Sequence, residues 1–476
     1  MNLVPNPFVN GFNSEKEKMF NIDLNLVKKY DKPGPRYTSY PTAPHFHEGF
    51  TSEDFLDEVI RTNNLENPPD LSLYFHIPFC DTLCYFCGCN MIVSRNQNRI
   101  SEYVQALKNE IDLLRTYLRP NRKIAQLHWG GGTPTHLPPN EISGLISYIK
   151  NNFEFTDKPE NGCEIDPREL TYEHLSALRE GGFNRISMGV QDFNEKVQKA
   201  VNRIQPEDLT RKVISWIREL NFESINLDLI YGLPFQTLNE FEKSVDALID
   251  ISPNRIALFN YAHVPWMKKH MALIKKKDLP APEEKLEILK MSVEKLTSAG
   301  YHFIGMDHFA KPDDDLSKAL KEKRLYRNFQ GYSTNAGTDL YALGITSIGQ
   351  FGNIYSQNYK TEKEYYKALN ERRFPIMKGY TMTQDDIIRK EVIMKIMCDF
   401  ELDFAKIENK FNINFEEYFN YSLKNLPSLE ADGLLEISNK KIKINEMGRL
   451  LIRNIAMNFD GFLERQEDLG KYSRTV

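Results

Sequence analysis

The chain has 476 residues, 41% hydrophobic and 27% charged, a balance that suits a globular protein made of one large domain with an appendage. Its 61 basic and 66 acidic side chains leave a net charge of −5, which gives no electrostatic reason to expect nucleic acid or an anionic membrane as partner. An anionic small substrate stays compatible with that total, because a basic pocket can hide inside it.

Residues 1–69 read as an N-terminal arm and lead-in. Met1–Ser14 is polar and lacks the basic start and apolar core of a signal peptide, and no apolar run of about 18 residues follows it, so the chain reads as cytoplasmic. The residues before Lys32 carry no clear structural signal. Lys32-Pro-Gly-Pro-Arg-Tyr-Thr-Ser-Tyr-Pro-Thr42 then forbids a helix with three prolines and one glycine. It reads either as a linker or as a stiff arm whose Arg36, Tyr37 and Tyr40 fold over a site.

Residues 70–380 form the main domain and its extension. Apolar β-rich runs at Leu71–Ile77, Ile124–Trp129, Cys163–Ile165, Arg185–Val190, Ile225–Tyr231 and Arg255–Tyr261 alternate with amphipathic stretches. Those stretches are Ile100–Leu118, Pro139–Asn151, Tyr172–Glu180, Pro206–Leu220 and Leu238–Ile251, with more helix at Ala281–Ala299 and a strand at Tyr301–Met306. The alternation predicts an α/β fold with a parallel sheet, either a full or partial TIM-type (β/α) barrel or a doubly wound open sheet. Residues 381–476 switch to helices at Gln384–Cys398, Phe404–Lys410 and Phe415–Asn425. Short β runs at Leu434–Ile437 and Lys441–Ile444 and a last helix over Glu446–Leu463 follow. Three helices and a hairpin are similar to a winged helix, but no basic recognition helix is present, which favours a structural or substrate-covering cap.

Four of the six cysteines fall within ten residues, at Cys80, Cys84, Cys87 and Cys89, just past the first strand. Six cysteines are too few for a disulfide scaffold, and a zinc site usually takes two separated pairs. Three thiolates on one loop can instead bend around a cubane cluster, each taking one iron and leaving the fourth iron open. Cys-x3-Cys-x2-Cys with Phe86 before the third cysteine resembles the signature of radical S-adenosylmethionine enzymes. That resemblance implies a [4Fe-4S] cluster on Cys80, Cys84 and Cys87 whose open iron chelates the methionine moiety of S-adenosylmethionine. Reduction then releases a 5′-deoxyadenosyl radical, and the protein aims that radical and keeps water and oxygen out.

In a βα barrel the C-terminal strand ends form one face. Here they carry Gly130-Gly131-Gly132-Thr133, Glu164 with Asp166, Gln191, Asp228 and Tyr261-Ala262-His263. Glycines let a ligand approach the backbone, while carboxylates and an amide suit ribose hydroxyls and an ammonium group. Arg203 lies just beyond the fourth unit, where a guanidinium could pair with the methionine carboxylate.

From about Tyr30 onwards the chain resembles the oxygen-independent coproporphyrinogen III oxidase (coproporphyrinogen III dehydrogenase) family of haem biosynthesis. The resemblance rests on Pro33–Thr42, His76–Cys80, Cys84–Asn90, His128–Thr135, Ser187–Phe193, Phe303–Phe309 and Arg327–Tyr332; Met91 and Cys163 depart from the family's usual side chains. It implies that Tyr74, Gly131, Gly132, Thr133, Glu164, Gln191, Arg203, Asp228 and Ala262 contact the cluster-bound S-adenosylmethionine. It implies further that Gln330 and Ile348 contact a second S-adenosylmethionine, and that Cys89 is required for activity without ligating the cluster. The implied reaction converts two propionates of coproporphyrinogen III into the vinyl groups of protoporphyrinogen IX, one radical for each carbon dioxide lost. The implied enzyme is a cytoplasmic monomer served by an electron donor such as flavodoxin or ferredoxin. The substrate carboxylates need cationic or donor partners, first Arg36, then Tyr37, Tyr40, Arg185 and His308. A haem-binding chaperone of the same superfamily, which generally lacks Cys89 and the Pro33–Tyr37 arm, and a haem-degrading radical methyltransferase are the alternatives.

Overall fold

Runs rich in branched and aromatic residues become six parallel strands: β1 (Leu71–Ile77), β2 (Lys123–Gly131), β3 (Glu154–Ile165), β4 (Arg185–Gln191), β5 (Ser224–Tyr231) and β6 (Arg255–Asn260). They come from a computed structural model that describes residues 22–465 and 472–475; Met1–Ser14 lies outside these. Each strand pairs with the next in chain order, and the helices Gln97–Tyr117, Pro139–Asn152, Tyr172–Glu180, Glu207–Glu219 and Leu238–Ile251 make the crossovers. The helix faces are apolar at the expected spacing: Val213, Ile214 and Ile217 of Glu207–Glu219 are buried against the sheet.

The sheet is open, which selects the partial barrel over the full one. Asp339–Leu343 adds a parallel strand outside β1, followed by antiparallel Ile348–Phe351, Ile354–Asn358 and Ile376–Thr381. At the other edge His302–Gly305 is not a seventh barrel strand beside β6, because the antiparallel strand His308–Ala310 separates them. Among the described residues no helix is long and apolar enough to cross a membrane.

Glu110, on Gln97–Tyr117, joins the barrel to the extension. Its buried carboxyl accepts from Gly344 N (2.8 Å), Asn358 Nδ2 (2.8 Å) and Tyr365 Oη (2.5 Å). Burial outweighs those donors and pushes it from 4.5 up to about 7. A carboxyl raised by folding binds its proton more tightly in the native state, so its contribution to stability falls as pH rises from about 4.5 to 7. The stability of Glu110→Gln relative to the parent, measured by denaturant unfolding, is expected to gain about 2 kcal/mol between pH 5 and 8.

The C-terminal region packs Gln384–Asp399, Phe404–Phe411, Phe415–Tyr418 and Asn420–Ala431 around a three-stranded antiparallel sheet, with Lys441–Ile444 between Glu401–Asp403 and Leu435–Ser438. The single last helix expected over Glu446–Leu463 is broken into Glu446–Leu450, Ile452–Ala456, a 3₁₀ turn and Gly461–Glu464. Asp460 makes the last break by capping a fresh start, its Oδ1 accepting from Phe462 N (2.9 Å) and Leu463 N (3.3 Å).

The lead-in also holds more order than its composition suggests. Asp23 caps a helix at Leu24–Tyr30 that sets buried Val27 toward the helix Pro282–Ser298. The proline-rich arm then runs between barrel and C-terminal domain. Arg453 donates to the carbonyls of Gly34 and Pro35, Tyr37 Oη donates to Asp460 Oδ2 (2.9 Å), and Tyr40 Oη accepts from Gly461 N (2.9 Å). On the barrel side Arg36 pairs with Asp307. The linker alternative is thereby excluded.

Candidate active site

β4 buries Ile186, Met188 and Val190 outward, which leaves Ser187, Gly189 and Gln191 for the barrel interior. β5 alternates likewise and turns Asn226 and Asp228 inward. Asn226 Nδ2 donates to Asp228 Oδ1 (2.7 Å) and Ser187 Oγ (2.9 Å), yet burial still pushes Asp228 up to about 7. Gln191 sits at φ 69°, and its buried Oε1 has no hydrogen-bond partner among the described residues.

The cysteine loop leaves the C-terminal end of β1 and is tied down from three sides. Gly132 N and Thr133 N donate to Ile77 O and Phe79 O (2.8 Å each), and Asn202 Nδ2 donates to Leu83 O (2.8 Å). His270 Nε2 donates to Cys87 O (2.8 Å), and Lys268 Nζ to Cys89 O (2.9 Å). Thr133 Oγ1 lies 3.5 Å from Cys80 Sγ. Arg168 and Arg203 approach Cys84 Sγ at 3.4 and 3.8 Å. The Cys89 thiol shares its proton with Cys87, holding Cys87 below and Cys89 above the ordinary thiol range.

Glu164 faces this loop, with Oε2 accepting from Gly131 N (3.1 Å) and Oε1 lying 3.4 Å from His128 Nε2. Burial raises its pKa, but His128 and Gly131 outweigh burial and hold it below the ordinary carboxylate range. Tyr74 stacks on His128 and meets His76 Nδ1 (3.2 Å), whose Nε2 donates to Asn90 O (2.9 Å). Asp166 takes Arg168 (2.7 Å) and Arg203 (2.8 Å), and despite burial these cations draw it down to about 2. Arg203 thus already has a carboxylate partner, and its NH2 also donates to Gly189 O (2.7 Å).

The fold therefore gathers Tyr74, Gly131, Gly132, Thr133, Glu164, Gln191, Arg203 and Asp228 around the cysteine loop, with Ala262 just past β6. Gln330 and Ile348 lie in the extension. Gln330 lines a hollow of about 130 Å³ with His128, Cys163, Asn226, His308 and Tyr332, and its Nε2 has no partner. Ile348 packs beside Phe46 and Tyr355. Of the groups expected to meet substrate carboxylates, Tyr37 and Tyr40 are turned into the C-terminal domain, which satisfies their phenols. Arg185 is held by Glu160 (3.2 Å) and Asp315 (2.6 Å). Arg36 meets Asp307, and His308 keeps a buried Nδ1 without a partner. Sequence reasoning passed over His76, His128, Arg168 and Asp307 as site residues, although all but Arg168 fall within the quoted motifs.

The donor set fits an iron–sulfur cluster with a chelated nucleoside. Three soft thiols stand on one loop, beside an orphaned amide oxygen and an unpaired Arg203 Nε. Close backbone approach is built in, since a Cβ on Gly132 would lie 2.4 Å from Pro78 O. Gly132→Ala must push the loop off β2, and less than half the parent's iron per chain is expected after anaerobic reconstitution, read by iron and sulfide analysis.

The profile of the radical SAM superfamily matches residues 74–248, and that of the HemN C-terminal domain matches 382–451. The fold and site thus define a radical S-adenosylmethionine enzyme. The oxygen-independent coproporphyrinogen III oxidase of Escherichia coli K12 is 47% identical over 95% of this chain and 98% of its own. That of Helicobacter pylori J99 is 45% identical over 96% of this chain and 100% of its own. The solved structure of coproporphyrinogen III oxidase (HemN) from E. coli, described as a radical SAM enzyme, superposes with TM-score 0.88 at 45% identity, covering 94% of this chain and all of that one. The chain belongs to the oxygen-independent coproporphyrinogen III oxidase family.

Proposed function

We propose that this chain converts two propionate side chains of coproporphyrinogen III into vinyl groups, yielding protoporphyrinogen IX for haem synthesis without oxygen. The observation that carries this reading is the cysteine loop at the barrel mouth, whose fourth thiol, Cys89, is held beside the third. Full-length similarity to coproporphyrinogen III oxidases supplies the substrate class. Cys80, Cys84 and Cys87 would hold the cluster, with Tyr74, Gly131, Gly132, Thr133, Glu164, Gln191, Arg203, Asp228 and Ala262 around S-adenosylmethionine.

When bound, the cluster and S-adenosylmethionine supply a hydrogen-abstracting radical, which a propionate C–H bond demands because no side-chain base could remove that hydrogen as a proton. Glu164 and Asp228 offer acceptors for ribose hydroxyls or an ammonium group, and Gly132 lets β2 pack closely on the cysteine loop. Arg36 meets Asp307 through one guanidinium nitrogen, Nη2, which leaves other donors of the guanidinium for a substrate propionate. The arm around it shields the reacting centre from water. Two decarboxylations need two radicals, and each also releases one electron to an external one-electron acceptor as carbon dioxide leaves. A second S-adenosylmethionine near Gln330 and Ile348 is part of the proposal, as are a monomeric cytoplasmic state and a flavodoxin- or ferredoxin-type donor.

The test is anaerobic reconstitution, then incubation with reductant, S-adenosylmethionine and coproporphyrinogen III. Vinyl product with about two 5′-deoxyadenosines per substrate is expected. Deoxyadenosine without porphyrin change would refute the substrate. Haem binding without decarboxylation would favour the chaperone, and methyl transfer to haem the methyltransferase.

A further inference from the structure

The segment between β6 and the helix Pro282–Ser298 has two contrasting sides. Its inner side is built into the cysteine loop through Lys268 and His270, which bond the carbonyls of Cys89 and Cys87. Met271 and Ile274 are buried beneath it, Ile274 in a small cluster that packs on Tyr85 and Phe86 of the loop. The outer side is bare. Trp266 is 75% exposed, Met267 70% and Leu273 57%, the three most exposed large hydrophobic side chains among the described residues.

The same segment carries Lys269, Lys275, Lys276 and Lys277, all exposed and none ion-paired among the described residues. Asp278 is the one acidic residue between Ala262 and Pro280. A chain of net charge −5 thus concentrates exposed lysines in one short segment that also bears an exposed aromatic and methionine and is bonded to the loop that would hold the cluster. Isolated exposed hydrophobics need no explanation, but exposed apolar groups sharing one short segment with like charges have the composition of a docking surface.

We propose that residues 264–277 form the docking surface for a small acidic protein that carries one low-potential electron, and that this electron passes through the loop beneath to the cluster. The proposal rests on the reading of the chain as a radical enzyme, because each radical requires one electron at the cluster. In the transfer the carrier is oxidised by one electron and the cluster is reduced by one; no bond or proton moves. Charge complementarity selects the acidic class of carrier, and the small patch suits the brief encounters of redox partners, which bury less than about 1,200 Å².

The experiment mixes the reconstituted full-length protein with reduced flavodoxin in a stopped-flow instrument, following cluster bleaching across ionic strength, with dithionite as a second reductant. Binding of oxidised flavodoxin is measured alongside by calorimetry. For Lys275→Glu/Lys277→Glu the bimolecular rate with flavodoxin is expected to fall about tenfold or more at low salt, and its salt dependence to flatten. Binding should weaken in parallel, and the dithionite rate should stay at the parent value. Trp266→Ser should weaken binding with the salt dependence preserved. Parent-like rate and salt dependence in the charge-reversed variant would overturn the proposal. An equal slowing with dithionite would overturn it too, since the lysines would then act on the cluster itself. Failure of the parent to form vinyl product with dithionite would sink the functional reading separately, because the comparison of reductants needs no porphyrinogen.

Discussion

Cys87→Ser is expected to lose its cluster, with turnover falling to below about one thousandth of the parent, whereas Cys89→Ser keeps its iron and still loses turnover. The two thiols sit two residues apart and are hydrogen-bonded to each other, which pushes Cys87 down and Cys89 up. What separates them is placement. Cys87 N donates to Cys84 O (3.1 Å), closing a turn between these two cysteines, while Cys89 stands exposed, anchored through its carbonyl by Lys268. A serine oxygen is a hard, poor ligand where a soft thiolate is wanted, so the loss at position 87 is a loss of iron. At position 89 the loss is of chemistry. Iron analysis, the electron paramagnetic resonance of the reduced cluster and vinyl formation together separate the two. Equal iron loss in both variants would remove Cys89 from its proposed role.

The second large effect lies far from the cysteines. Arg453→Ala is expected to release the arm, because the guanidinium binds Gly34 and Pro35 carbonyls and also Thr475 O (3.1 Å) from a position only 6% exposed. Its removal strands buried carbonyls, at a cost of about 1–3 kcal/mol for each left unsatisfied. Freed from that side, Arg36 no longer approaches Asp307 along a fixed arm. Cluster content and deoxyadenosine formation should persist, while vinyl product falls at least tenfold and the arm becomes a site of limited proteolysis. Arg453→Lys should recover only part, since an ammonium cannot span carbonyls as the fork does. Vinyl formation at the parent level in Arg453→Ala would show that the arm has no part in substrate handling.

The parts of this molecule that could be read from sequence are those written in short-range periodicity. β1 and the helices Tyr172–Glu180 and Leu238–Ile251 appear with the ends expected, because alternating or 3.6-fold apolar patterns dictate them locally. The cysteine loop was legible for a similar reason, its spacing being chemistry on one short segment. The extension was not: its strands span three to six residues and pair with edges that no local pattern announces. Tyr37 was misread because the partner of its phenol, Asp460, lies 423 positions away. Arg185 lines the same hollow as Gln330 and His308 and is also paired with Glu160 and Asp315, a double placement that an arginine at a strand's beginning does not announce. The roles of Lys268 and His270 were invisible, since a lysine-rich loop reads as solvated until its backbone partners are known.

The pairing of the arm with residues near position 475 also sets an order of assembly. Gly34 N donates to Ser473 O (3.0 Å) and Thr475 N to Lys32 O (2.8 Å), so the arm has no seat until those last residues have left the ribosome. The cradle of the cysteine loop needs only β1, the strand ends up to β6 and the segment that follows, all present once the chain has grown past residue 280. During synthesis the supports of the cysteine loop are therefore all made while the arm still lacks part of its seat. The arm then seats late, through a contact between residues 443 positions apart.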